Sequence, residues 1–158
     1  MDETFSQGQL NMVFGHLPDR TVMTWIKEGL VPWTEETKDR RGRHRRYSRE
    51  DFYCLGLVEE LIGYGLSYVV IREQIIERLY KQKVPRVPFP VWLPDRILTI
   101  SKNKNKLLII YKKHGAWRTQ IKQSIEINRE LIALASSVLI VNLGDVIERV
   151  EQYITERL

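Results

Sequence analysis

Residues 18–32 read PDRTVMTWIKEGLVP. Val22, Trp25 and Ile26 share one side of a helical wheel, so the stretch predicts a helix over residues 18–28. Pro18 fits the first turn, where its missing N–H costs nothing, and Asp19 complements the positive end of the helix. Gly29 can take the left-handed conformation that often ends a helix. Upstream, Leu10, Val13, Phe14 and Leu17 recur at helical spacing, which predicts a shorter helix over residues 6–14, closed by Gly15. Residues 1–5 read as a frayed end. Two short helices joined by a tight, glycine-containing turn make a helix-turn-helix candidate. On periodicity alone, any small helical hairpin is the stronger reading.

Downstream the pattern breaks. Residues 30–47 begin at Leu30 and Val31, meet Pro32, fill with charge and hold Gly42 near their middle. They predict a basic β-hairpin, a wing, with Leu30-Val31 at one end pairing with Arg46-Tyr47 at the other. Residues 38–49 carry seven bases and a single acid, Asp39. A solvated face or an exposed hairpin is the plain alternative for such a run. Ser48 then reads as an N-cap, with Asp51 in the role of the capping-box acid. Phe52, Leu55, Val58 and Ile62 continue at helical period. Tyr64-Gly65-Leu66 interrupts, Ser67 can cap again, and a further helix is expected to about Lys81. Pro85, Pro88, Pro90 and Pro94 mark a linker.

Beyond the linker the period changes to that of strands. Residues 97–100 and 107–111 predict a β-hairpin around an Asn- and Lys-rich turn. Residues 116–119 and 123–127 are further short strand candidates, and residues 138–141 are a candidate for a buried strand. Residues 144–158 predict a terminal helix whose wide apolar stripe should cover that strand. The fold class expected is α+β. A helical winged helix-turn-helix unit occupies residues 1–83, a proline-rich linker residues 84–96, and a small α+β interaction or dimerisation unit residues 97–158.

The chain has 158 residues, 43% hydrophobic and 28% charged, which suits a soluble globular protein. No apolar run is long enough to cross a membrane as a helix, and the acidic, polar start does not read as a secretory signal. Cys54 is the only cysteine, which fits a reducing cytoplasm. The net charge of +5 and a pI of about 9.4 favour an anionic partner, most often nucleic acid. The surplus lies after residue 83, where twelve bases face seven acids, and residues 96–122 hold eight bases and no acid. His16, His44 and His114 share no metal-ligand spacing, so no metal or other cofactor is expected. Glycine-rich phosphate loops and nucleophile–base arrangements are not evident, so the chain does not read as an enzyme.

The order helix, turn, helix, basic wing, capped helix, Gly-Leu-Ser, helix resembles the DNA-binding domain of the MerR family of transcription regulators. The likeness is carried by Arg20-Thr21-Val22, by residues 25–32 (WIKEGLVP), by residues 45–51 (RRYSRED) and by residues 63–67 (GYGLS). It covers roughly residues 8–80. Met23 and Thr24 stand where that family usually has Arg and Tyr. The resemblance implies binding of double-stranded DNA by a homodimer on a near-palindromic site, in the cytoplasm at the nucleoid. Base contacts would come from Arg20, Thr21, Met23, Thr24 and Lys27 on the exposed face of the second helix. Phosphate contacts would come from Arg40, Arg41, Arg43, Arg45 and Arg46 in the wing. Trp25 reads as core, and Tyr47 as a phosphate contact or a wing anchor. The competing reading is a protein-interaction or assembly adaptor whose helix-turn-helix no longer reads sequence, with a protein partner on the C-terminal unit.

Overall fold

A computed structural model of the chain describes residues 3–18, 20–31, 46–77, 100–123 and 137–158. Most of the wing, including Arg40, Arg41, Arg43 and Arg45, lies outside the described residues, as do the linker, the helix beyond Glu77, the strand at 97–99 and the strand at 124–127.

The N-terminus opens with a short strand, β1 (Thr4–Phe5), and then α1 (Gln7–Val13). Ser6 caps α1 with a reciprocal capping box through Gln9, so two orphan donors of the first turn are satisfied. Helix α2 (Thr21–Lys27) follows the turn. It starts three residues later than expected. The Pro18 carbonyl closes a turn with the Thr21 N–H at 3.1 Å, and Arg20 sits at φ 68°, outside the helical region, so Pro18 precedes the helix instead of opening it.

Strand β2 (Tyr47–Ser48) pairs antiparallel with β1, matching Thr4 to Ser48 and Phe5 to Tyr47. Both the frayed N-terminus and the pairing of Leu30-Val31 with Arg46-Tyr47 are thereby corrected. The reason is packing. Phe5 is buried with its ring 4.7 Å from that of Phe52, while Leu30 and Val31 are core residues and Leu30 N–H closes onto Trp25 O.

Helix α3 (Arg49–Gly63) begins at the Ser48 cap, with Asp51 accepting from the Ser48 N–H at 2.7 Å as the sequence suggested. From Asp51 to Val58 every residue is buried. A helix enclosed on all sides is the centre of its domain, not a surface element. Helix α4 (Tyr68–Val70), capped by Ser67, runs directly into a π-helical stretch, Ile71–Ile76.

The described C-terminal residues open with a 3₁₀ turn, Ser101–Asn103, whose start is held by Glu50 on the Ile100 and Ser101 N–H groups. Three antiparallel strands follow: β3 (Leu107–Lys113), β4 (Ala116–Lys122) and β5 (Ser137–Asn142), in the order β4-β3-β5. Over Leu107–Lys112 both edges of β3 are taken, by β4 and by β5. The hairpin therefore joins 107–113 to 116–122 rather than 97–100 to 107–111. Its tight turn is His114-Gly115, both with positive φ.

Helix α5 (Leu143–Arg157) closes the chain. It does not chiefly cover strand 138–141. It crosses α3 and reaches α1. A Cβ on Gly56 of α3 would run into Val150 Cγ2 and lie 3.4 Å from Val146 Cγ1, so the two backbones approach as closely as glycine allows. One hydrophobic core runs through both halves, from Leu10, Phe14 and Leu55 to Leu108, Val141 and Val150. Gly56→Val should cost about 1–3 kcal/mol by overpacking this crossing, measured by urea unfolding. Gly63→Ala, at a position with nothing within 4 Å of an added Cβ, should stay within about 1 kcal/mol of the parent.

Candidate nucleic-acid interface

Helix α2 is two-faced. Val22, Trp25 and Ile26 are buried, at 6%, 3% and 4% exposure, against α3 and its neighbours. Residues three and four apart stand together on a helix, so Arg20, Thr24 and Lys27 line the opposite side, and all three are exposed. Thr21 is half-buried. Met23 is partly buried and packs on the core, so its thioether is half inside the domain. The Thr24 hydroxyl donates to Arg20 O at 3.0 Å, and its oxygen can still accept.

The two ends of α2 are fixed differently. Arg20 enters in the left-handed region, a conformation that a non-glycine residue holds only when its surroundings impose it. At the exit, Gly29 has φ 75°, and Arg72 from the π-helical stretch lies over it, with Cδ 3.3 Å from where a Cβ would be. The Arg72 guanidinium donates to Glu28 O at 3.0 Å. A cation on the last carbonyls of a helix satisfies orphan acceptors and opposes the negative end of the dipole. Sequence reading missed Arg72, because it is distant from α2 in the chain and no local pattern marks it.

Of the residues expected in the wing, Arg46 and Tyr47 are described. Arg46 donates to Thr4 O at 2.9 Å and to Thr4 Oγ1 at 3.3 Å, so it ties the start of β2 to β1. Tyr47 is buried, at 1% exposure, and its hydroxyl donates to Gln7 Oε1. That geometry is an anchor's. Trp25 is in the core, as read from the sequence.

Behind this surface, α5 clamps the helical unit at three places. Arg49 bridges Glu3 and Glu151, and the Tyr53 hydroxyl donates to the same Glu151 carboxylate. Arg149 pairs with Glu60 and donates to Gly56 O at 3.0 Å. Arg157 donates to Val13 O and, at 2.8 Å, to His16 Nδ1, which leaves His16 Nε2 to donate to Glu59 Oε1 at 2.6 Å. Burial, aided by Glu151, pushes the Tyr53 hydroxyl up to about 12. Burial also works to raise the Glu151 pKa, but the hydrogen bonds from Arg49 and Tyr53 outweigh it and hold the carboxyl below its ordinary value. Burial opposes the Arg149 charge, and Glu60 and Glu59 overcome it and raise its pKa.

Residues 16–75 match the family model described as MerR HTH family regulatory protein. This segment is thus similar to a MerR-type helix-turn-helix region. It spans α2, the described end of the wing, α3 and the α4–π helix, and it supports a DNA-binding regulator in general terms. Such regulators are generally not enzymes. A comparison with curated proteins finds no match. Among the described residues no helix is long and apolar enough to cross a membrane, and no group of three or more His, Cys, Asp or Glu side chains is placed to hold a metal ion.

The Glu151 clamp under the MerR-type region has a definite pH sign. A carboxyl whose folded pKa is lowered adds stability that is full above its ordinary 4.5 and fades as the pH falls through the lowered value. The destabilisation by Glu151→Gln should therefore be largest near neutrality and shrink as the pH falls below the ordinary carboxyl value and through the lowered one, followed by urea unfolding at each pH. A difference independent of pH contradicts the clamp.

Proposed function

We propose that this chain is a transcription regulator that grips duplex DNA as a homodimer, reading bases with α2 and holding phosphates with the basic wing. The observation that carries the reading is the division of α2. One face is spent on the core, while Arg20, Thr24 and Lys27 stand together on the other, inside a MerR-type region. Thr24 offers a methyl to thymine, and Arg20 and Lys27 offer donors to guanine or to phosphate. Arg40, Arg41, Arg43 and Arg45 add four guanidiniums in the wing, whose planar forks suit phosphate oxygens. Arg46 and Tyr47 serve the same surface indirectly in this reading, by fixing the wing base to β1 and α1.

Phosphate contacts give affinity and salt dependence, and base contacts give sequence preference, so the two sets separate experimentally. Arg43→Ala with Arg45→Ala should weaken binding to every duplex and flatten the dependence of log K on log salt by about 0.9 for each phosphate that is no longer neutralised. Thr24→Ala with Lys27→Ala should instead change which duplexes are enriched in a selection from random sequence, each base contact being worth about 1–3 kcal/mol of discrimination. Binding without any sequence preference in the parent chain favours the adaptor reading. Sedimentation of the DNA-free chain as a monomer at all concentrations contradicts the homodimer.

A further inference from the structure

The basic tract at residues 96–122 is not used by the helix-turn-helix, and the register of the hairpin gives it a shape. Strands alternate their side chains, so Leu108 and Ile110 on β3 face the core together with Trp117, Thr119 and Ile121 of β4. Lys113 therefore stands on the other face. Its partners across the ladder put Arg118, opposite Tyr111, and Lys122, opposite Leu107, on that same face. Three bases of one sign share one side of a two-stranded ribbon, Arg118 exposed and Lys113 and Lys122 half-buried, at the margins of Ile109 and Tyr111, which are buried on that same side. Toward its turn Lys113 and Arg118 border an open hollow of about 830 Å³, lined also by Tyr111, His114 and Gln120, and there Gln120 Nε2 donates to the Tyr111 hydroxyl at 3.0 Å. No acid occurs between residues 96 and 122 to neutralise them.

The partners of the arginines sharpen the contrast. Arg46, Arg49, Arg72, Arg149 and Arg157 all donate to carbonyls or carboxylates of the chain itself. Among the described residues Lys113, Arg118 and Lys122 form no ion pair, and neither do Arg20 and Lys27 on α2. The two sets are connected by a short path. The Thr119 hydroxyl of β4 donates to Gln74 O at 2.6 Å, and Gln74 lies two residues from Arg72, which holds the last carbonyl of α2. The hairpin thus flanks the exit of the helix that carries Arg20 and Lys27. Along β4, Arg118 and Lys122 are about 13 Å apart at strand rise. That is the rise of roughly four base steps of duplex DNA.

We propose that the β3–β4 hairpin is a second phosphate-contacting surface, on which Lys113, Arg118 and Lys122 hold the backbone of a duplex that continues past the end of α2. The proposal rests on the DNA-binding reading above. The surface adds affinity and lengthens the footprint. In this proposal its contacts go to phosphates alone, which position the protein and carry no sequence information.

The test uses the full chain and random-sequence duplexes, one short and one long. A Lys113→Ala/Arg118→Ala/Lys122→Ala variant should bind the long duplex more weakly, with a log K against log salt slope shallower by up to about 2.7, which is about 0.9 for each of three phosphates. The parent should gain affinity from the short to the long duplex beyond the increase in number of sites, and the variant should not. The sequences enriched from a random pool should be the same for both. A charge-keeping variant, Lys113→Arg/Arg118→Lys/Lys122→Arg, should bind as the parent. If the triple alanine chain unfolds, Arg118→Ala alone should lower the slope by about 0.9. A folded alanine variant with the parent's slope and affinity overturns the proposal while leaving the helix-turn-helix reading intact, even if that variant loses an acidic protein partner. A parent chain that binds no duplex overturns both.

Discussion

The contact of Gly56 with Val150 is the constraint on which the other placements depend. Two helices far apart in the chain can cross at backbone distance only where one presents no side chain. With a Cβ at Gly56, α5 would stand off from α3, and the three polar clamps on either side of the crossing, two of them ion pairs, would be strained. Closeness also determines the chemistry of the crossing. The Gly56 carbonyl, uncovered by any side chain, accepts from Arg149, and Arg149 turns back to Glu60 on the same helix. The crossing therefore combines apolar contact of Val146 and Val150 with charge pairs at its margin, where partial exposure limits the cost of burying charge.

From that crossing the outward face of α2 follows. With α5 and α1 on its flanks, α3 is buried along its middle, and α2 packs Val22, Trp25 and Ile26 into the same core. Burying such side chains is worth about 1.5–3 kcal/mol each, enough to set the rotation of a seven-residue helix that would not be stable alone. The rotation leaves Arg20, Thr24 and Lys27 outward. Arg72 then holds the exit of α2, and the hairpin is tied to the same π-helical stretch through Gln74. A displacement of that stretch would move α2 and the hairpin together. The C-terminal half is in this way mechanically continuous with the helix-turn-helix.

Charge on this protein has two uses that composition does not separate. Some arginines are structural: Arg46 fastens β1, Arg49 joins the N-terminus to α5, and Arg157 reaches α1 and His16. Others, Arg20 on α2 and Arg118 on the hairpin, are exposed and form no ion pair among the described residues. A net charge of +5 thus understates the contrast between a neutralised interior network and two basic surfaces.

Much was legible from local sequence. The Ser48–Asp51 capping box, the Ser67 cap, the end of α2 at Gly29 and the strand at 138–141 are written in residues a few positions apart, and such short-range signals survive whatever the rest of the chain does. The likeness read over roughly residues 8–80 contains the segment 16–75 that matches the family model. What tertiary structure alone decided were the partnerships between distant segments. Tyr47-Ser48 chose Thr4-Phe5 over Leu30-Val31 because Phe5 could stack on Phe52 while Leu30 and Val31 were needed in the core. Strand β3 turned to 116–122 through His114-Gly115, and α5 found α3 in place of strand 138–141. An apolar stripe states that a face will be buried and is silent about what buries it. That choice depends on the fit of surfaces brought together from the whole chain, and here it was made by one missing side chain, at Gly56.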